Sequence, residues 1–300
     1  MNLTALRKSA TLVPAIVAIA VICACLPALP GRPQTQASPD FAAVEQAALD
    51  LGTKHGTDKV LLVFDMDNTL LRMAQDFGSD EWFTWQRGLA ADDPAKIKGL
   101  TEVQGILFDL SSMRPPEPGH QPRVVAALQD RGFAAIVLTG RSPLYRSATE
   151  RELERNGYDF GRTAVGPGEG FGGSFLPYDP RNAEASGFTL PCDRERMPLP
   201  AAQKVSYQNG VMMTSGQDKG LMLRSLLNRT GRHFAAVLFV DDSERNLKAV
   251  TQAFSCTAVE VIPVLYTQGR RSAGIDTAQA IAQFRQLKSL LRDIFAREVD

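Results

Sequence analysis

Asp65 and Asp67 stand two residues apart where the apolar run Val60-Leu61-Leu62-Val63-Phe64 ends, and Asp241 and Asp242 end a second run, Ala235 to Val240. Carboxylates this close repel unless a cation or a shared proton intervenes. Each pair therefore points to a hard metal ion, or to one acid kept protonated for proton transfer. The structural alternative is a helix cap or turn, since Asp, Asn and Thr favour both and Asn68-Thr69 follows Asp67. Turn chemistry accounts poorly for two separate apolar runs that both end in paired aspartates. Thr139-Gly140-Arg141 closes a third run, Phe133 to Leu138, and leads into Ser142-Pro143, where backbone N–H groups either meet an anion or begin an ordinary capped helix. Lys219, in Gly216-Gln217-Asp218-Lys219-Gly220, opens a helix that carries Leu221, Leu223 and Leu226. Taken alone, a lysine in that position is a solvated one.

Such residues need a scaffold that brings strand ends together. Short Val, Leu and Ile runs bounded by turn signals read as strands buried on both faces of a parallel sheet, and ligands of such sheets lie beyond the carboxyl ends. The expected fold is α/β, a Rossmann-like parallel sheet flanked by helices. It has a further strand at Val259 to Leu265, a first helix started by Ser38-Pro39-Asp40 and running through Val44 to Leu51, and a closing helix from Ala278 to Phe295. Two stretches are longer than a crossover requires. Residues 72–125, after the first aspartate pair, read as a helical insertion holding both tryptophans, Trp82 and Trp85, whose spacing fits core better than the roof of a pocket. Residues 163–214 are rich in Gly and Pro and read as a small β-containing cap insertion, with Asn209-Gly210 as its hairpin turn. Trp82, Trp85, Arg141, Phe171 and Arg181 are the side chains these regions offer to a ligand, each with a structural role as the plainer reading.

The chain has 33 basic and 33 acidic residues, a balance that argues against a nucleic-acid groove, and 44% hydrophobic residues, enough for a substantial core. Arg7 and Lys8 precede an uncharged apolar stretch from Leu12 to Leu29, the pattern of a bacterial export signal. Residues 1–30 are expected to be a signal peptide or an N-terminal anchor, residues 31–39 a linker and residues 40–300 the folded domain. The destination is then the periplasm or cell envelope, with membrane contact only through the N-terminal segment or a lipid on Cys25, which sits in the imperfect lipobox Ile22-Cys23-Ala24-Cys25. Cys192 and Cys256 remain in the folded part, either as a disulfide or as two buried thiols. His55, His120 and His233 are scattered and no Cys-x-x-Cys occurs, so a zinc site has no support.

Between about residues 56 and 270 the chain resembles the haloacid dehalogenase-like (HAD) superfamily, which is dominated by phosphohydrolases. Asp65-Met66-Asp67-Asn68-Thr69 is similar to its first motif, Thr139 to its second, Lys219 to its third and Asp241-Asp242 to its fourth, in the family's order. The Trp82 segment, the Asn209-Gly210 hairpin and Ser215 to Gly220 resemble an uncharacterised HAD-like family of exported bacterial proteins. The resemblance implies a phosphatase for a small phosphorylated substrate. Asp65 would attack phosphorus and form an aspartyl-phosphate, while Asp67 would protonate the leaving oxygen and later take a proton from water. Superfamily members that are not phosphohydrolases often lack an acid at the second position, so Asp67 favours phosphatase over dehalogenase. Mg²⁺ suits an all-oxygen site next to phosphate. It would be held by the carboxylates of Asp65 and Asp241, the backbone carbonyl of Asp67 and, through water, Asp242. Thr139 and Lys219 would hold phosphoryl oxygens, with Asn246 orienting Asp242 or Lys219. The alternatives are a phosphotransferase and a HAD-fold envelope or secreted binding protein without turnover.

Overall fold

The computed structural model describes residues 35–38, 40–167, 170–269 and 274–299. The expected signal or anchor segment, with Cys23 and Cys25, lies outside the described residues, and so does most of the expected linker. Part of that linker is a correction: Gln36–Ser38 is strand β1, paired in parallel with residues 264–266. Helix α1 (Phe41–His55) begins after Asp40, whose carboxylate accepts from the Ala43 N–H; Asp40, not Ser38, is the cap. The buried strand β2 (Val60–Phe64) follows. Next come β3 (Arg72–Met73), α2 (Asp80–Gly88), α3 (Leu100–Leu110), β4 (Met113–Arg114) and α4 (Gln121–Asp130). Strand β5 (Ala134–Thr139) leads to α5 (Arg146–Arg155), which stops at Asn156 and the left-handed Gly157. The chain then forms β6 (Ser206–Gln208), β7 (Val211–Met213), α6 (Lys219–Thr230), β8 (Ala236–Asp241), α7 (Glu244–Phe254), β9 (Glu260–Tyr266) and α8 (Thr277–Phe295).

The central sheet has seven strands in the order β1-β9-β8-β2-β5-β7-β6, parallel throughout except for β6. This is the expected Rossmann-like α/β fold. Its strands alternate between two cores. Leu62, Phe64, Val137 and Leu238 pack with α1, α4 and α5, whereas Leu61, Val63, Ile136 and Phe239 pack with α6 and α7. Both faces are covered, which is why the strands read as continuous apolar runs instead of alternating ones. Among the described residues no helix is long and apolar enough to cross a membrane.

The two insertions differ from expectation in where their parts go. The Asn209-Gly210 hairpin forms, but β7 hydrogen-bonds to β5 and so extends the central sheet instead of building a separate cap. The parallel edge of β5 was open, and the short apolar Val211–Met213 satisfies it. Residues 170–205 lie mostly outside regular structure and pack on the α6 and α7 face through Tyr178, Phe188, Leu199 and Val205. Cys192 and Cys256 are joined as a disulfide that ties this segment to the chain beyond α7. The helical insertion shares a third core with the C-terminus: Phe77, Trp82, Val103 and Leu107 pack with Ala280, Leu287 and Leu291 of α8. Trp82 is core, edge-on to Phe77 at 5.1 Å, and Trp85 packs against the same cluster.

Candidate functional site

Register builds the centre of the site. Phe64 of β2 lies opposite Val240 of β8, and the Asp65 N–H donates to the Val240 carbonyl at 2.9 Å, so Asp65 and Asp241 emerge side by side from adjacent parallel strands. A carboxylate oxygen from each of Asp65, Asp241 and Asp242 lies within 4.8 Å of the others, and all three residues are buried. Lys219 enters from the first turn of α6, where Asp218 caps the helix by accepting from the Leu221 N–H at 2.9 Å. Its Nζ donates to Asp65 Oδ1 at 2.5 Å and to Asp241 Oδ2 at 2.7 Å. The solvated lysine of the plainer reading is thus a buried one, 4% exposed. It reaches the strand ends because α6 and α7 approach closely: a Cβ on Gly220 would lie 2.2 Å from the Ala249 carbonyl oxygen. Asn246 orients Asp241, donating from Nδ2 at 3.0 and 3.1 Å, while the Ser243 N–H donates to Asp241 Oδ1 at 2.8 Å.

Asp67 belongs to a second cluster. Its carboxylate is turned to Arg141, which donates from Nε at 2.8 Å and from Nη2 at 2.7 Å, a planar two-point pairing. Arg141 also donates to Thr149 Oγ1 at 3.1 Å and lies 3.9 Å from the centre of the Phe108 ring. Nothing in the sequence foretold this pair, because the partners are 74 positions apart; the only signal was that Arg141 follows the Thr139-Gly140 strand end. Thr139 is fully buried, and its Oγ1 accepts from the Arg141 N–H at 3.2 Å. Of the other insertion side chains, Phe171 stands edge-on to Phe175 and Arg181 pairs with Asp179, both away from this centre.

The turn that carries Asp67 is clamped from several sides. Gln121 Nε2 donates to the Thr69 carbonyl at 2.8 Å and Tyr158 OH to the Leu70 carbonyl at 3.2 Å. Asn68 is left-handed, at φ 60°, and its Nδ2 donates to Glu81 of α2 at 3.1 Å. On its other side a Cβ at Gly269 would fall 1.5 Å from the Asn68 carbonyl oxygen, so only glycine fits there.

Asp65 and Asp241 share the Lys219 ammonium, and a carboxylate oxygen of Asp242 stands within 4.8 Å of theirs. Burial raises the Asp65 pKa well above the ordinary carboxylate value; Lys219 opposes the rise, and Asp241, Asp242 and Asp67 add to it. For Lys219, burial acts to lower the pKa, but the Asp241 and Asp65 carboxylates outweigh it and hold the lysine charged. A carboxyl that is hard to ionise, within reach of two others, is a place where a cation restores charge balance. The three aspartates can hold a metal ion with oxygen ligands.

No curated protein and no solved structure matches this chain. Residues 40–297 match a family model described as "Protein of unknown function (DUF2608)", a span that takes in all of the strand-end residues above and α8. The chain is a member of the DUF2608 family.

Proposed function

We propose that this protein is an exported Mg²⁺-dependent phosphatase of the HAD type, acting on a small phosphorylated substrate through an aspartyl-phosphate at Asp65. The observation that carries the reading is the convergence of Asp65, Asp241, Asp242 and Lys219 at the carboxyl ends of adjacent parallel strands. The residues fit the ion: the donors are all carboxylate oxygens, within 4.8 Å of one another. When bound, Mg²⁺ supplies Lewis-acid polarisation of the phosphoryl group and offsets the repulsion between phosphate and carboxylates.

The chain's own residues do the rest. Asp67 first gives up one of its two Arg141 contacts and takes a proton from solvent; an Asp65 carboxylate oxygen then bonds to phosphorus as the substrate's P–O bond breaks, and the leaving oxygen takes that proton from Asp67. Water then attacks the aspartyl-phosphate, gives its proton to Asp67 and releases phosphate, restoring Asp65. Arg141 holds the ionised Asp67 by two points and keeps one of them when Asp67 carries the proton. Lys219 offers a third N–H to a phosphoryl oxygen, having spent two on Asp65 and Asp241. The Cys192–Cys256 disulfide supports export, because such bonds persist in oxidising compartments.

Hydrolysis of 4-nitrophenyl phosphate by the purified protein, with Mg²⁺ and with a chelator, tests the proposal beside Asp65→Asn. Metal-dependent turnover that vanishes in the variant is expected. Turnover retained by Asp65→Asn would rule out the covalent route, and a folded wild type without turnover or Mg²⁺ binding would favour a binding protein on the same scaffold.

A further inference from the structure

A cavity on the α6 side lies away from the aspartates. It is a space of about 750 Å³ between residues 176–186, residues 201–202 and the outer side of α6. That volume is in the range that takes a small organic ligand. Its walls combine two chemistries. Leu176, Pro177 and Ala202 supply apolar surface, while Arg181 and Arg229 bring guanidinium groups to the edge. Arg229 is held in place by aromatic rings, its guanidinium carbon 4.3 Å from the centre of Phe175 and 4.8 Å from that of Phe171. Among the described residues it forms no ion pair with a carboxylate, so its N–H groups remain for something else.

Tyr178 belongs to the same wall. Its side chain is buried, and its hydroxyl has no hydrogen-bond partner among the described residues. Burial, and after it the Asp218 carboxylate, keep the phenol protonated and therefore a donor. That hydroxyl has no exposed surface, so it is enclosed behind the wall and does not meet the cavity.

We propose that this cavity is a second binding site, for a small organic anion with an apolar body, whose acid group is held by Arg229 and Arg181. A bare inorganic anion would leave the apolar wall unused, and the Asp179 carboxylate beside Arg181 disfavours a polyanion. The site is separate from the aspartate cluster. Arg229 lies ten residues along α6 from Lys219, about 15 Å at the helical rise. It stands whether or not the phosphatase reading does.

The test is a fluorescence titration of the full chain with 8-anilinonaphthalene-1-sulfonate, an aromatic sulfonate of this class. Saturable binding is expected that Arg229→Gln weakens by about tenfold or more, since a charged hydrogen-bond donor is lost. Ala202→Trp, which narrows the space and keeps both arginines, should weaken it. Ile294→Ser, at an exposed apolar position on α8, should leave it unchanged. The proposal is overturned if wild type shows no saturable binding, if Arg229→Gln binds within twofold of wild type, or if Ile294→Ser is the variant that loses the signal. Arg229→Gln is an exposed change, so the outcome does not depend on Ala202→Trp folding.

Discussion

Replacing Lys219 with Met keeps most of the side-chain volume and removes a buried charge. The Lys219 side chain is buried and bridges Asp65 to Asp241, both also buried. Taking one partner from a buried ion pair costs about 3–5 kcal/mol, because the remaining charge stays desolvated. Here two carboxylates lose their shared cation, so the upper end of that range is expected at pH 8 in chelator. For a unit of this size the loss corresponds to about 6–10 °C in Tm, at roughly 2 °C per kcal/mol. Urea and thermal unfolding of the two proteins measure it directly. Two dependences follow from the cause. The gap should narrow as pH falls, because protonated carboxylates no longer need the ammonium, and it should narrow when Mg²⁺ is added, because a divalent cation replaces the missing charge. A gap below about 1 kcal/mol in chelator, or one indifferent to both pH and Mg²⁺, would refute the buried triad as drawn.

The raised pKa of Asp65 has a defined sign: a carboxyl that ionises less readily folded than unfolded makes the protein lose stability as pH rises through the folded pKa. Asp65→Asn should therefore stabilise the metal-free protein at pH 8 and matter little where the carboxyl is protonated anyway; a lower urea midpoint at pH 8 would contradict this. Gly269→Ala puts a methyl against the Asn68 carbonyl and should cost about 1–3 kcal/mol while weakening Mg²⁺ binding in calorimetry; unchanged values for both would mean that the two loops do not touch. The Cys192–Cys256 bridge spans 64 positions, so Cys192→Ser with Cys256→Ser should cost about 4 kcal/mol. Reductant should shift the wild-type midpoint by a similar amount and leave the double variant where it is.

The strands were legible because a parallel sheet covered on both faces leaves an uninterrupted mark, Val60–Phe64 or Ala236–Val240, with the polar change falling at its end. Those ends named Asp65, Asp241 and Asp242. What could not be read were contacts decided by packing. Lys219 reads as solvated in isolation, and only the close approach of α6 to α7 at Gly220 sends its side chain to the aspartates. The Asp67–Arg141 pair, the enclosure of Asn68 by Gly269 and the shared core of the helical insertion with α8 all join distant positions, and no local pattern encodes them. The hairpin is legible at Asn209-Gly210, but its attachment is not, because an edge strand pairs with whichever edge is vacant.

Strand parity explains why the site divides as it does. Asp65 follows Leu61 and Val63, and Asp241 follows Val237 and Phe239, so both leave the sheet on the α6 and α7 side. Thr139 follows Ala135 and Val137 and leaves on the other side, toward α4 and α5, where Arg141 meets Thr149 and Phe108. A lysine on α6 can bridge Asp65 and Asp241, and an arginine after β5 can hold Asp67, but neither can exchange roles with the other without crossing the sheet. The two clusters therefore approach the strand ends from opposite faces, and a phosphoryl group between them would meet Asp65 and Lys219 on one side and Asp67 on the other. In the phosphatase we propose, attack by Asp65 and protonation of the leaving oxygen by Asp67 would come from those two sides, as an in-line displacement requires.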